Sequence, residues 1–355
     1  MKFPFARTFP LVSVGLSLIL PAAFAREGDA TAPAGKNRRG AGSKPACVWK
    51  IEGKNNTVYL AGSMHLLREE DLPLPRQYAR AFNDSARLVF EIAPEEENSP
   101  KAARLSLEKG TFPEGETLSG AVSEEAYKEV GGFLKKAGMP EGSFDKFRPW
   151  MCAMTVTMVE MMKIGAAPQF GVEQVLQDLA KEGGKKIAGL ETLEYQLDLF
   201  SKMEPKLQER MLVESVREAE GMAEEFPKMV EAWRIADEKA FEESAFDDKD
   251  DPEVRAFYEV ILYGRNRDWI GKIEKLLESN ENVMVVVGAG HLIGEGSVVE
   301  LLAEKGHSVV QLKGRGKRGK AAPPAAGEKP EPKREPKPKS KKRDLVPVGI
   351  RTAVP

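Results

Sequence analysis

Residues 57–65 read TVYLAGSMH and residues 283–291 read VMVVVGAGH. Each is a short apolar run that ends at a glycine, Gly62 or Gly288, with a histidine three positions on, His65 or His291. Apolar runs of this length, rich in valine and closed by glycine, predict buried strands. Two further runs share the design: RLVFEIA carries Glu91 near its end, and KKIAGL runs into Glu191. Four predicted strands therefore deliver a histidine or a carboxylate at their carboxyl ends, where open α/β sheets place their sites.

Outward from these runs, Cys47–Ile51 and Thr57–Ala61 flank the turn Gly53-Lys54-Asn55-Asn56, a hairpin signal. The other strands are predicted at Arg87–Ile92, Lys185–Gly189, Val283–Val287 and Ser308–Leu312. Helical patterning starts at Arg76 and dominates 98–163, with breaks at Gly110–Gly115 and Pro140–Pro149. It resumes at Val172–Lys181, about 192–246, 253–279 and Ser297–Lys305. Strands separated by helices predict an α/β (or α+β) domain over 47–312: a central mixed sheet, opened by an antiparallel hairpin, with a large helical insertion before the last strands.

The ends differ from this body. Lys2 and Arg7 precede the apolar stretch Leu11–Leu20, and Ala23-Phe24-Ala25 has the small-x-small form of a cleavage site, so 1–25 predicts an export signal of bacterial type. Residues 26–46 read as a linker, and the Lys/Pro-rich segment 313–355 as a disordered basic tail suited to anionic envelope surfaces or to solubility alone. The expected location is periplasmic or secreted, with no transmembrane helix in the mature chain. The formal charge of −2 conceals an acidic body with 32 basic and 49 acidic residues between 47 and 312. Such a body argues against nucleic acid as a partner of the folded domain. Two cysteines exclude a disulfide scaffold, and pairing of Cys47 with Cys152 is left open.

Two imidazoles with one or two carboxylates suit a divalent transition metal. Glu191 also reads as a helix-starting acid, and Arg265 as a helix-surface partner of Asp268. His307 has no acidic neighbour in sequence and reads as structural. Met151, Met154, Met158, Met161 and Met162 read as adaptable core rather than a copper site. Asp247, Asp248, Asp250 and Asp251 lack the glycine of a calcium loop and read as a solvated connection. Gly288, Gly290 and Gly294 resemble a dinucleotide loop, but the next strand ends at Leu312 with no acidic residue for a ribose. Glycine amides holding a carbonyl or anionic group of a substrate stay open. No G-x-S-x-G elbow is present, which disfavours a serine nucleophile.

The two G-x-x-H motifs, with LVFEIA, GLETLEYQL, GRNRDWI and the closing VVVGAGHLIGEGSVVELLAEKGHSV, resemble the TraB/GumN family, which includes the Tiki proteases. The resemblance covers about 48–312 and implies a fold similar to the ChaN and erythromycin-esterase group. It implies a metal centre of His65, Glu91 and His291, with Glu191 and the pair Arg265-Asn266 lining the same cleft. Many relatives carry Gly-x-Asp before the middle helix; this chain has Gly171-Val172-Glu173 there, which puts any role of that acid in doubt. The resulting expectation is a metal-dependent, peptidase-like hydrolase of the bacterial envelope, acting on a peptide or protein. Manganese, cobalt or zinc would suit it. Glu191 is expected as general base and Arg265 as stabiliser of an oxyanion or holder of a substrate carboxylate, with Gly62, Gly288, Gly290 and Asn266 binding substrate. The alternatives are an envelope protein that binds a metal, haem or peptide without chemistry, and an interaction module whose basic tail matters most.

Overall fold

The computed structural model describes residues 44–246 and 250–314. The chain divides into two units, Met1–Gly316 and Lys317–Pro355, and the described residues lie in the first. The expected export signal, nearly all of the expected linker and of the expected basic tail, Asp247 and Asp248 fall outside them. Among the described residues no helix is long and apolar enough to cross a membrane.

Six strands form one mixed sheet: β1 (Pro45–Glu52), β2 (Thr57–Ser63), β3 (Arg87–Ile92), β4 (Lys186–Glu191), β5 (Val283–Gly288) and β6 (Val309–Lys313). Their order is β4-β3-β5-β2-β1-β6. The hairpin β1–β2 is antiparallel, closed by a Gly53 N–H to Asn56 carbonyl bond of 2.8 Å. β2, β5, β3 and β4 are mutually parallel, and β6 pairs antiparallel with β1. β5 lies between β3 and β2 and is buried along its whole length, which is why its sequence is apolar without alternation. Strand starts and ends agree with the sequence to within three residues. The fold takes in Pro45 and Ala46 from the expected linker and Lys313 from the expected tail: Pro45 pairs with Lys313, and Ala46 follows within β1.

Fourteen α-helices connect the strands among the described residues. Those before β4 are α1 (Arg76–Asp84), α2 (Pro94–Glu97), α3 (Pro100–Gly110), α4 (Leu118–Ala121), α5 (Glu124–Lys136), α6 (Pro149–Lys163) and α7 (Val172–Glu182). The insertion between β4 and β5 holds α8 (Leu193–Ser201), α9 (Pro205–Glu218), α10 (Met222–Ile235), α11 (Glu238–Ala245), α12 (Pro252–Tyr258) and α13 (Gly264–Leu277); α14 (Val298–Glu304) precedes β6. A π-helical turn, Glu259–Tyr263, joins α12 to α13. The insertion packs back onto the sheet: α10 lies against β1, and Trp233 donates from its indole to the Gly62 carbonyl at 2.8 Å.

Several sequence readings resolve here. α6 buries Met151, Met154 and Met161 in the core and leaves Met162 outside, as a packing stripe would. Asp251 caps α12 through the Glu253 amide at 2.8 Å and pairs with Arg210 at 2.8 Å, so this acid is a tether rather than a solvated link. Cys47 and Cys152 are separate, buried thiols, and burial pushes both pKa values up, which makes them unreactive. His307 has an acidic neighbour in space, Glu274 at 3.2 Å on α13.

Candidate functional site

The parallel block β2-β5-β3-β4 presents its carboxyl ends on one edge, and all four expected ligand-capable residues arrive there. Glu91 comes from β3 and Glu191 is the last residue of β4. His291 closes a single 3-10 turn after β5, and His65 stands two residues beyond β2. His291 is wholly buried, and Arg265 and Asn266 are each 1% exposed.

Arg265 is the hub. It reaches the edge from the first turn of α13, immediately after the π-helical turn, and a π insertion of this kind is a frequent mark of functional sites. Its Nη2 donates to Glu91 Oε2 at 2.6 Å and Glu191 Oε2 at 2.8 Å, and its Nε donates to Glu191 Oε2 at 3.1 Å. Nη1 donates to the Ile261 carbonyl at 3.1 Å and meets His291 Nε2 at 3.1 Å. A guanidinium has five N–H donors, so this arrangement engages every one. The helix-surface pairing with Asp268 is thus replaced by a buried double carboxylate clamp.

The remaining contacts fix the acceptors. Glu91 Oε1 accepts the Gly288 amide from the adjacent strand at 2.8 Å, and Gln196 donates to both Glu91 Oε2 at 3.2 Å and Glu191 Oε2 at 3.0 Å. Trp269, one turn after Arg265, donates to Glu191 Oε1 at 2.8 Å, and its ring centroid lies 4.4 Å from that of His291. An unpaired buried carboxylate in an apolar strand is costly. Glu91 avoids that cost through a cation, an amide N–H and a side-chain amide.

The two histidines differ in state. Asn266 donates from Nδ2 to the Gly296 carbonyl at 2.8 Å, so its Oδ1 is the acceptor facing His291 Nδ1 at 2.6 Å. His291 therefore carries its proton on Nδ1, and Nε2 accepts from Arg265. Burial, then the charges of Arg265 and His65, hold its pKa well below the ordinary histidine value, so the ring is neutral. His65 faces the opposite balance. Burial lowers its pKa, but the charge and hydrogen bond of Glu173, with Nδ1 to Oε1 at 2.8 Å, outweigh burial and raise it to about 9. Burial raises the pKa of Glu173, and His65 with the Ser63 hydroxyl more than reverses this, so it ends lowered.

Some expected roles change. Both oxygens of Glu191 are taken by Arg265, Trp269 and Gln196, so it holds the arginine in place and has no oxygen open to a water, as a general base requires. Arg265 has no N–H left for an oxyanion in this arrangement. Gly62 is a packing position: a side chain there would meet Cys47 Sγ at 2.3 Å, and its carbonyl accepts from Tyr78 and Trp233. Asn266 orients His291, and Gly288 offers its amide to Glu91. Gly290 is buried in the turn that carries His291. Among the described residues no three His, Cys, Asp or Glu side chains stand together at metal-binding spacing. Sequence reasoning missed Gln196, Trp269 and the part played by Glu173. Trp269 was within reach, since four residues after Arg265 puts it on the same helix face.

The model of the TraB/PrgY/gumN family matches residues 47–311. The uncharacterized protein YbaP of Escherichia coli strain K12 is 23% identical over 250 residues, covering 70% of this chain and 88% of that protein. The protein of the same name from Shigella flexneri gives the same figures. A metalloprotease TIKI homolog of Amphimedon queenslandica is 44% identical over 54 residues, 15% of this chain and 11% of that protein. No solved structure matches.

Proposed function

The chain belongs to the TraB/PrgY/gumN family, and from that premise we propose that it is a metal-dependent hydrolase with peptide substrates. The carrying observation is that two histidines and a carboxylate from three parallel strands converge on one buried edge, each imidazole held through Nδ1 by a protein oxygen. Metal-binding histidines are oriented in this way, with the far nitrogen left to coordinate.

His65, Glu91 and His291 are donors of the types that a divalent ion takes, and holding one would require their side chains to draw closer than they stand here. Glu91 Oε1 lies 3.9 Å from His291 Nε2, so a carboxylate and an imidazole stand side by side at this edge. Glu91 and Glu191 outnumber Arg265 in charge, so the cluster favours one more cation. His65, Glu91 and His291 would hold the ion, which would polarise a scissile carbonyl and lower the pKa of a water. Were His291 Nε2 to hold the ion, the Nη1–H of Arg265 that now meets it would be available to a substrate oxygen, with Glu91 and Glu191 keeping the guanidinium in place. The short match to a metalloprotease supports the reaction class, and the leader-like residues 1–25 support action outside the cytoplasm in the envelope.

The test is cleavage of a mixed peptide library by the mature protein, before and after chelation and after return of manganese, cobalt or zinc. Metal-restored cleavage that His291→Ala abolishes is the expected result. Cleavage indifferent to chelation would contradict the reading, as would binding of metal without turnover of any peptide.

A further inference from the structure

The segment 167–173 wraps around the loop that carries His65. The Ala167 amide donates to the Leu67 carbonyl at 2.9 Å, and the Val172 amide donates to the Met64 carbonyl at 3.0 Å. Gly171 is the point of closest approach: a side chain there would stand 2.2 Å from the His65 carbonyl oxygen and 2.9 Å from its carbon. Only a residue without Cβ lets the chain pass this close. Two residues on, at the start of α7, Glu173 turns its carboxylate onto the imidazole, and the Ser63 hydroxyl donates to the same oxygen that accepts from His65.

We propose that Glu173 is the positioning residue of this site, fixing the ring orientation of His65 and its proton on Nδ1 so that Nε2 faces the reacting centre. The inference rests on the reading of His65 as a metal ligand and adds a residue that no strand end supplies. The physical reason is the acceptor-only character of a carboxylate. It can hold His65 in one way, by accepting from Nδ1–H, and that choice assigns coordination to the other nitrogen. A structural role alone does not account for the arrangement. The first turn of α7 would tolerate Glu173 facing solvent, yet it is directed inward to a buried histidine, and Ser63 and Gly171 have the identities that this seat needs.

Three histidines in the chain make the test clean. Ring-15N-labelled histidine spectra are recorded on metal-free and zinc-titrated protein for the wild type, Glu173→Gln, Glu173→Ala and Ser63→Ala. The expected metal-free wild-type spectrum has protons on both nitrogens of His65 at neutral pH, the one on Nδ1 hydrogen-bonded to Glu173, and zinc displaces the one on Nε2. Glu173→Gln keeps an acceptor and loses the charge, so the Nδ1 proton persists while zinc affinity falls. Glu173→Ala loses the Nδ1 signature, and affinity falls by roughly 10–100-fold. Glu173→Gln is nearly isosteric and stands in should the alanine variant not fold. His65 protonated only at Nε2, coordination through Nδ1, or Glu173 variants with wild-type spectra would each overturn the proposal. A wild type that takes no zinc yet shows the Nδ1 proton, lost in Glu173→Ala, would remove the metal reading and leave the positioning role standing.

Discussion

Replacing Arg265 with methionine should be among the most damaging single changes in this chain, and the structure sets the scale. The Arg265 side chain is 2% exposed and clamps Glu91 and Glu191, whose side chains are 10% and 2% exposed. Methionine fills similar space, so the loss is electrostatic rather than a cavity. Breaking a buried ion pair from one side costs about 3–5 kcal/mol because a charge is left unpaired. Here two carboxylates lose their cation, but each keeps neutral donors: Gly288 and Gln196 for Glu91, Trp269 and Gln196 for Glu191. Those donors keep the cost within that range. For a fold of this size, with ~2–4 °C of Tm per kcal/mol, the Tm should drop by roughly 6–20 °C. Arg265→Lys keeps the charge but offers three donors without the planar fork, and should cost about 1–3 kcal/mol. Urea unfolding of both variants and of Arg265→Met with Glu191→Gln measures the terms. The double variant should recover part of the loss, because one unpaired carboxylate is gone. A cost for Arg265→Met under about 1 kcal/mol, or a double variant showing the two losses simply added, would refute the clamp as the organiser of this edge.

Further outcomes follow from named contacts. His65 has its folded pKa raised from 6.5 to about 9, so its pairing with Glu173 contributes fully below pH 6.5 and is lost as pH rises through about 9. Glu173 is lowered from 4.5, so its share is lost as pH falls through the depressed value. The Tm difference between the metal-free wild type and Glu173→Gln should therefore peak between about pH 4.5 and 6.5 and shrink towards and beyond pH 9; a difference that does not vary with pH would contradict the pairing. Gly171→Ala forces a methyl against the His65 carbonyl and should cost about 1–3 kcal/mol by urea unfolding, with a cost near zero showing that the loop can retreat. Thiol titration should find Cys47 and Cys152 slow in the native protein and both reactive once unfolded, whereas a missing thiol after unfolding would indicate a disulfide.

Much of this was legible because strands that cross the core must be apolar throughout and must stop where the chain meets polar work. VMVVVG could only be a central strand, and the residue at the end of such a strand could only lie on the carboxyl edge. That logic placed His65, Glu91, Glu191 and His291 together across more than 200 residues of sequence. It failed where function depends on direction rather than position. Nothing in GLETLEYQL indicates that Gln196 bridges two carboxylates, because that contact depends on how α8 leaves β4. Arg265 was recognised as part of the cleft but not as its centre, since the turn that aims it is an irregularity of five residues with no sequence signature. The contact of Glu173 with His65 depends on how segment 167–173 wraps the loop that carries the histidine. Side-chain reach across a loop is not readable from spacing.

The most direct measurement is bound metal per chain in the mature protein and in His65→Ala, His291→Ala, their double variant and His307→Ala. If the two G-x-x-H motifs share one ion, either single change removes most of the binding, the double change adds little, and His307→Ala, paired with Glu274 outside the cleft, matches the wild type. Independent additive losses from His65 and His291, or an equal loss from His307, would contradict a single shared centre.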